Sequence, residues 1–238
     1  RMRPAAHGAP GLAPAPMTPP RTLLVDLDGT LLDTAPDMGA ALNALRAEHG
    51  RAPLSAEAMR PQVSHGAFGL VRLGFGDCDD TTQASLRQRF VELYRTALTT
   101  HGTALFPGFA ALLATLHRAA RPWGIVTNKP GWLTAPLLQD LTLPHPPAVV
   151  VSGDTLGVRK PHPDPLLHAS AQLQCAPSQC LYLGDAERDV VAARAAGMTA
   201  VVALWGYLDT KDPLNAWGAD HAVGHPDELA ALLGGGLA

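Results

Sequence analysis

Two aspartates one residue apart, in the stretch DLDGT at residues 26–30, are the strongest chemical feature of this sequence. They directly follow the apolar run TLLV, so both carboxylates stand where the chain leaves a buried element. Like charges this close repel each other, and removing both from water is costly. A hard divalent cation relieves that repulsion, and Mg²⁺ typically binds one or two protein carboxylates together with phosphate oxygens and waters. Asp26 and Asp28 therefore predict a magnesium site.

Polar residues that suit the same chemistry occur later in the chain. The stretch GDAERD at 184–189 contains Asp185 and, one helical turn later, Asp189. The TN pair at 127–128 follows an apolar run, and Lys160 is a cation just before a helix-like segment. Carboxylates, a metal ion, a hydroxyl and a lysine around one point suit a phosphoryl group in transit.

The two aspartates of DLDGT divide the work of such a transfer. We expect Asp26 to attack phosphorus and to carry the phosphoryl group covalently. We expect Asp28 to protonate the leaving oxygen and later to deprotonate the attacking water. A close pair of carboxyl groups beside a metal suits these roles because their titrations separate, so one is ionised while its neighbour holds a proton.

The elements that must position these residues alternate between strands and helices. The predicted strands are 22–27, 123–127, 147–152, 180–184 and 199–205, and the helices between the later ones are 108–120, 131–141, 163–173 and 187–196. Apolar strands alternating with helices indicate an α/β fold with a Rossmann-like parallel sheet covered on both faces. Such sheets carry their sites at the carboxyl ends of the strands. Asp26, Thr127 and Asp185 all lie at such ends.

About 95 residues separate the first two predicted strands, too many for one crossover. Leu86, Phe90 and Tyr94 form one apolar helical stripe in this segment. We therefore predict a helical cap domain at 34–104, inserted after the first strand into a core domain of 21–33 and 105–238. A cap beside the site is a natural lid.

The amino-acid composition limits the partners and the cellular location that we expect for this protein. The formal net charge of −3 gives no basic excess, which disfavours nucleic acid, and the longest uncharged apolar run, 198–208, is too short to cross a membrane. Three cysteines without metal-ligand spacing indicate reduced thiols in a cytoplasmic protein. Residues 1–20 are rich in Pro and Ala and lack the apolar core of a secretory signal, so they predict a flexible tail.

The order and spacing of the motifs resemble the haloacid dehalogenase-like (HAD-like) superfamily of phosphatases. DLDGT matches its first motif, the TN pair its second, Lys160 its third and GDAERD its fourth, and the predicted insertion is similar to its small cap domain. DLDGTLLDTAPD, VTNKP and KPHPDPLL further resemble bacterial phosphoglycolate phosphatases. VSHGA, WGIVTNKP and NAWGADHAVGHPDEL are similar to the N-acetylmuramic acid 6-phosphate phosphatases.

This resemblance implies hydrolysis of a small phosphorylated metabolite with Mg²⁺ through an aspartyl-phosphate. Phosphoglycolate is the first substrate it implies, and N-acetylmuramate 6-phosphate is the alternative. The resemblance implies that Asp26 is the nucleophile and that Asp28 is the acid and base. It implies that Asp26, the Asp28 backbone and Asp185 bind Mg²⁺ and that Thr127, Asn128 and Lys160 bind phosphate. It also implies a supporting role for the Asp189 carboxylate and a contact from His65 of the cap to the substrate.

Other protein classes share parts of this pattern. A sugar phosphomutase uses both aspartates but returns the phosphoryl group to a sugar instead of to water. A dehalogenase needs neither an acid at residue 28 nor Mg²⁺, so Asp28 argues against it. A catalytically silent fold acting as a binding module is disfavoured by the intact motifs. The sequence leaves open the exact metabolite and the choice between monomer and homodimer.

Overall fold

A six-stranded parallel sheet forms the centre of the molecule. The computed structural model describes residues 20–209, 211 and 213–234, so the predicted tail at 1–20 lies outside the described residues except for residue 20. The strands stand in the order β5-β4-β1-β6-β7-β8. They are β1 (Thr22–Val25), β4 (Trp123–Val126), β5 (Val149–Val151), β6 (Cys180–Gly184), β7 (Thr199–Ala203) and β8 (His221–Val223).

Both faces of the central strands β1, β4 and β6 are buried, which is why these strands are mainly apolar. Leu23 and Val25 belong to one hydrophobic cluster and Leu24 to the other, as the two-residue period of a strand requires. Helices cover the two faces and the predicted α/β fold class is confirmed. The helices of this part are α5 (Phe109–Arg118), α6 (Gly131–Asp140), α7 (Asp164–Gln172), α8 (Glu187–Ala195), α9 (Leu214–Trp217) and α10 (Leu229–Leu232).

A helical segment follows the first strand, as the sequence predicts. It is bounded by a two-stranded antiparallel ribbon and buries the apolar stripe of Leu86, Phe90 and Tyr94. The ribbon consists of β2 (Leu32–Asp33) and β3 (Ala104–Leu105), and between them lie α1 (Ala35–Glu48), α2 (Ala56–Met59), a 3₁₀ helix (Arg60–His65), α3 (Gly66–Phe75) and α4 (Asp80–Thr96). We call residues 35–96 the helical cap.

Asp37 ties the entry and the exit of the helical cap together. It lies in the first turn of α1, and its carboxylate is fully buried. The backbone N–H groups of His101 and Thr103 donate to it at 2.6 Å and 2.9 Å, and the Thr103 hydroxyl also donates. The returning chain is thereby fixed beside the start of α1, at the edge of the sheet that carries the site.

The elements that the sequence did not predict are the short ones. β2 and β3 contain two residues each and β8 contains three, and none of them forms a run of apolar β-branched residues as the equally short β5 does. In the described part of the chain, no helix combines the length and the apolar character needed to cross a membrane. The three cysteines carry free thiols.

Candidate active site

Three neighbouring strands bring the predicted site residues to one edge of the sheet. Asp26 follows β1, Thr127 follows β4 and Asp185 follows β6, and β1 pairs in parallel with both of the other strands. All three side chains are buried, with 1–3 % exposure. Residues far apart in the sequence thus form one cluster because parallel strands end at the same edge.

The glycine of DLDGT lets the first loop approach this cluster. Gly29 has a φ of +80°, a left-handed conformation that side chains disfavour. A Cβ atom built there would lie 2.2 Å from Oδ2 of Asp185. The loop that carries the two aspartates therefore needs glycine at this position to pass so close to the third carboxylate.

The Asp26 carboxylate is held through one oxygen. Its Oδ1 accepts from the Leu27 backbone N–H at 2.7 Å and contacts Nζ of Lys160 at 2.9 Å. No described residue donates a hydrogen bond to Oδ2. Burial raises the pKa of Asp26, and the Lys160 charge opposes that shift. The arrangement presents an oriented carboxylate with a free oxygen, as a nucleophile requires.

Lys160 is buried among groups that fix its ammonium. Nζ lies 2.9 Å from Asp26 Oδ1 and 2.8 Å from Asp189 Oδ1. It also donates to the Val126 carbonyl at 3.0 Å and to the Tyr182 hydroxyl at 2.7 Å. A single cation thus neutralises parts of two carboxylates.

Asn128, which the resemblance implies as a phosphate binder, contacts the Lys160 backbone through its side chain. Its side-chain oxygen accepts from the Lys160 N–H at 3.0 Å, and its Nδ2 donates to the Lys160 carbonyl at 2.9 Å. The amide therefore positions the loop that carries Lys160. This contact crosses 32 residues, and the sequence alone did not indicate it.

Three buried carboxylates could hold a cation. Asp26, Asp185 and Asp189 each offer an oxygen, and these oxygens lie within 4.8 Å of one another. Burial first, and then Asp189 and Asp26, raise the pKa of Asp185 to about 7. Such crowding fits a site for a hard divalent ion.

The hydrogen bonds of the three carboxylates show which of their oxygens are open to a cation. Both oxygens of Asp189 are occupied, one by Lys160 and the other by the Ala186 backbone N–H at 3.0 Å. Oδ2 of Asp185 accepts from the Ser64 hydroxyl and the Tyr207 N–H, both at 2.8 Å. Oδ2 of Asp26 and Oδ1 of Asp185 are the oxygens most open to a cation. Among the described residues, Oδ1 of Asp185 accepts only one hydrogen bond, a long one of 3.5 Å from the Thr30 hydroxyl.

Asp28 lies apart from that carboxylate cluster. Its Oδ1 accepts from the Thr34 hydroxyl at 2.7 Å, and its two oxygens lie 2.9 Å and 3.2 Å from Nζ of Lys129. These contacts fix the orientation of the Asp28 carboxyl group. Its predicted role as an acid requires the contact with Lys129 to change.

Lys129 is a site residue that the sequence reasoning missed. It is buried, and its ammonium lies 4.7 Å from the centre of the Tyr94 ring in the helical cap. Burial lowers its pKa, but Asp28 and Tyr94 together raise it by more, so Lys129 stays charged. The available signal was its place directly after the TN pair, in VTNKP.

A cavity of about 610 Å³ joins these groups to the helical cap. His65 is exposed and lines it, as does Phe68, which is 51 % exposed. Its floor contains Asp26, Asp28, Thr127 and Lys160. The neighbouring Ser64 hydroxyl reaches Asp185, so the loop before α3 contacts the core directly.

Comparison with known proteins identifies the family to which this fold and this site belong. The family described as haloacid dehalogenase-like hydrolase matches residues 23–203, and the chain belongs to that family. The predicted resemblance is therefore confirmed.

Particular relatives carry two different substrate names. A phosphoglycolate phosphatase of Xanthomonas campestris pv. campestris is 46 % identical over 211 residues, covering 88 % of this chain and 95 % of the relative. An N-acetylmuramic acid 6-phosphate phosphatase of Pseudomonas aeruginosa is 39 % identical over 217 residues, covering 90 % and 94 %. A structure from Haemophilus somnus, described as a predicted phosphoglycolate phosphatase, has a TM-score of 0.79 at 23 % identity and covers 91 % of this chain and 99 % of its own. That likeness supports the shared fold.

Proposed function

We propose that the protein is a Mg²⁺-dependent phosphomonoester hydrolase that acts on a small phosphorylated metabolite, phosphoglycolate in the first place. The observation that carries the proposal is the buried Asp26 carboxylate, oriented by Lys160 and free at Oδ2. The 46 % identity to a phosphoglycolate phosphatase supports the substrate.

In this proposal, Asp26 attacks phosphorus through its free oxygen and forms an aspartyl-phosphate. Asp28, which also lines the cavity, gives a proton to the leaving oxygen and then takes one from the water that releases phosphate. Thr127, Asn128 and Lys160 bind the transferring phosphoryl group, and the Asn128 side chain also fixes the Lys160 loop.

Asp26, Asp185 and the backbone carbonyl of Asp28 are the groups that would hold Mg²⁺, with Asp189 supporting them through Lys160. When bound, Mg²⁺ neutralises charge on the transferring phosphoryl oxygens. The oxygens of Asp26, Asp185 and Asp189 within 4.8 Å of one another, and the raised pKa of Asp185, support this assignment.

N-acetylmuramate 6-phosphate is the second candidate substrate, because the size and the apolar wall of the cavity can accommodate a sugar ring. A volume of about 610 Å³ exceeds what a two-carbon acid phosphate needs. The side of the cavity formed by the helical cap is largely apolar, with Val63, Phe68, Phe90 and Val91. A sugar ring would use such a wall, whereas phosphoglycolate has only one methylene group. The relative of 39 % identity supports the same choice.

Phosphate release from a panel of esters tests the proposal and ranks the two substrates. The panel holds phosphoglycolate, N-acetylmuramate 6-phosphate and common sugar phosphates, each with Mg²⁺. We expect the highest kcat/KM on phosphoglycolate; a higher value on the amino sugar would select the second candidate. Isomerisation of glucose 1-phosphate without phosphate release would instead indicate a mutase, and no turnover of any ester would indicate a binding module.

We also make proposals about the domain bounds, the oligomeric state and the cellular location of the protein. We propose a cap domain at 34–104 and a core domain at 21–33 and 105–238. We further propose a cytoplasmic monomer or homodimer without nucleic-acid or membrane partners. Light scattering of the purified protein distinguishes the two oligomeric states.

We expect Mg²⁺ to be required for turnover and to stabilise the fold. Excess chelator should abolish activity, and added Mg²⁺ should raise Tm. The rise should be larger at about pH 8 than at about pH 5.5, because Asp185, whose pKa is raised to about 7, must lose its proton to bind a cation. In the metal-free protein a raised carboxyl pKa favours folding at low pH, and that contribution is lost as the pH rises through about 7.

Differential scanning fluorimetry with and without Mg²⁺ measures this effect. Asp185→Asn is the matched control, since the amide does not titrate, and its Tm should respond little to Mg²⁺ at either pH. Full turnover in excess chelator, or an equal Tm shift at both pH values, would contradict the assignment.

We expect His65→Ala to lower kcat/KM for the true substrate by about 5- to 150-fold, corresponding to a hydrogen bond of roughly 1–3 kcal/mol. His65 lines the cavity from the helical cap, where it meets the body of a substrate and not its phosphate. A generic ester such as p-nitrophenyl phosphate never makes that bond, so its rate should barely change. Equal losses on both substrates would mean that His65 supports the cap or its closure.

A further inference from the structure

The cavity at the site contains more positive charge than one phosphate group needs. Its lining has five Arg and Lys side chains against two carboxylates, Asp26 and Asp28. Lys160 and Lys129 are already paired with those carboxylates. The three arginines, Arg87, Arg159 and Arg188, have no ion pair and no side-chain hydrogen bond with any described residue.

Arg188 is the least exposed of the three. It is the second residue of α8 and stands between Asp185 and Asp189 in GDAERD. It lines the main cavity and also a second one of about 360 Å³, on the other side of Ser64 and His65. Burial lowers the pKa of its guanidinium, but the carboxylates of Asp189, Asp26 and Asp185 raise it by more, so the group is cationic.

The half-buried Arg188 guanidinium has no hydrogen-bond acceptor among the described residues. We therefore expect its partner to be a ligand that occupies the cavity. Its five N–H donors prefer planar, bidentate oxygen pairs such as a carboxylate. Lys160 and Thr127 already serve the transferring phosphate in the proposed function. Arg188 is thus available to bind a second anionic group. Because Arg188 lies beside the carboxylates of the site, that group would be only a few bonds from the phosphorus atom of the substrate.

We propose that Arg188 binds a carboxylate of the substrate and thereby selects phosphomonoesters of short carboxylic acids. This inference rests on the proposed function, and it adds a specificity-determining residue that none of the four motifs assigns. The Arg188 contact distinguishes an acid from a neutral alcohol phosphate of the same size.

The test compares phosphoglycolate with ethyl phosphate, which replaces the carboxylate with a methyl group. Arg188→Met keeps much of the apolar stem and removes the charge. We expect kcat/KM for phosphoglycolate to fall roughly 10- to 100-fold, the range of a charge-assisted hydrogen bond, and kcat/KM for ethyl phosphate to change less than about threefold. Arg194→Met, on the exposed end of the same helix, is the matched control and should change neither. Equal losses on both esters, or no loss on phosphoglycolate, would overturn the proposal.

Binding without turnover separates this inference from the proposed function. We expect calorimetry with Mg²⁺ to show that wild type binds 3-phosphonopropionate at least about tenfold more tightly than propylphosphonate, and that Arg188→Met removes this preference. If the preference appears but no ester is hydrolysed, the proposed function fails and the carboxylate contact stands. A wild type that binds both phosphonates equally refutes the carboxylate contact, whatever its activity.

Discussion

Asp26→Asn is expected to lower kcat by about 10³ or more, which is about 4 kcal/mol of activation free energy, while the fold stays intact. The amide has nearly the same shape as the carboxylate but cannot attack phosphorus. Lys160 retains its contact with Asp189 at 2.8 Å, so its ammonium does not become unpaired. Since burial raises the pKa of Asp26, the loss of its charge should cost little stability.

Steady-state kinetics and circular dichroism of the same preparation measure this variant. Asp33→Asn is a suitable control, because Asp33, the last residue of β2, pairs with Arg60 at 3.0 Å and does not line the main cavity. If Asp26→Asn kept more than about a tenth of the wild-type kcat, a loss below 1.4 kcal/mol of barrier, Asp26 would not be the nucleophile.

Lys160→Met is expected to abolish activity and to lower the free energy of unfolding by roughly 3–5 kcal/mol in the absence of metal. The Lys160 ammonium is fully buried and contacts two carboxylates that are themselves buried, at 2.9 Å and 2.8 Å. Without it, Asp26 and Asp189 lose the ammonium that contacts both of them, while their carboxylates stay close to each other and to that of Asp185. Added Mg²⁺ should therefore recover part of the lost stability.

Urea unfolding in chelator and in Mg²⁺ measures both effects. Lys129→Met is the matched comparison, because Lys129 is also buried but pairs with one carboxylate, Asp28, whose side chain is 19 % exposed. Its loss of stability should be smaller than that of Lys160→Met. A loss below about 1 kcal/mol for Lys160→Met would mean that the carboxylates are not held together by this lysine.

The sheet and most helices were predictable because their patterns are local. The run TLLV, the strand CLYLG and the helix after GDAERD appear in the structure within two residues of their predicted bounds. The predicted strand ends brought Asp26, Thr127 and Asp185 together through a general property of parallel sheets. β8 was not predictable because its three residues, HAV, form no apolar β-branched run, whereas the equally short β5 lies in the run AVVV.

The contacts within the site were not predictable because they join distant residues. Ser64 donates to Asp185 across 121 residues, and Lys129 pairs with Asp28 across 101. No local periodicity encodes either pair. Asn128 shows the same limit, since its motif position does not indicate that its side chain holds the Lys160 backbone.

Acid quench of the enzyme during turnover, followed by peptide mass spectrometry, detects a phosphoryl group carried covalently by Asp26. We expect that the peptide containing Asp26 gains the mass of one HPO₃ unit, that the adduct is lost on mild alkaline treatment, and that Asp26→Asn never forms it. Phosphate release by wild type with no adduct on this peptide at any quench time, or an adduct on another residue, would contradict the assignment of Asp26 as the nucleophile.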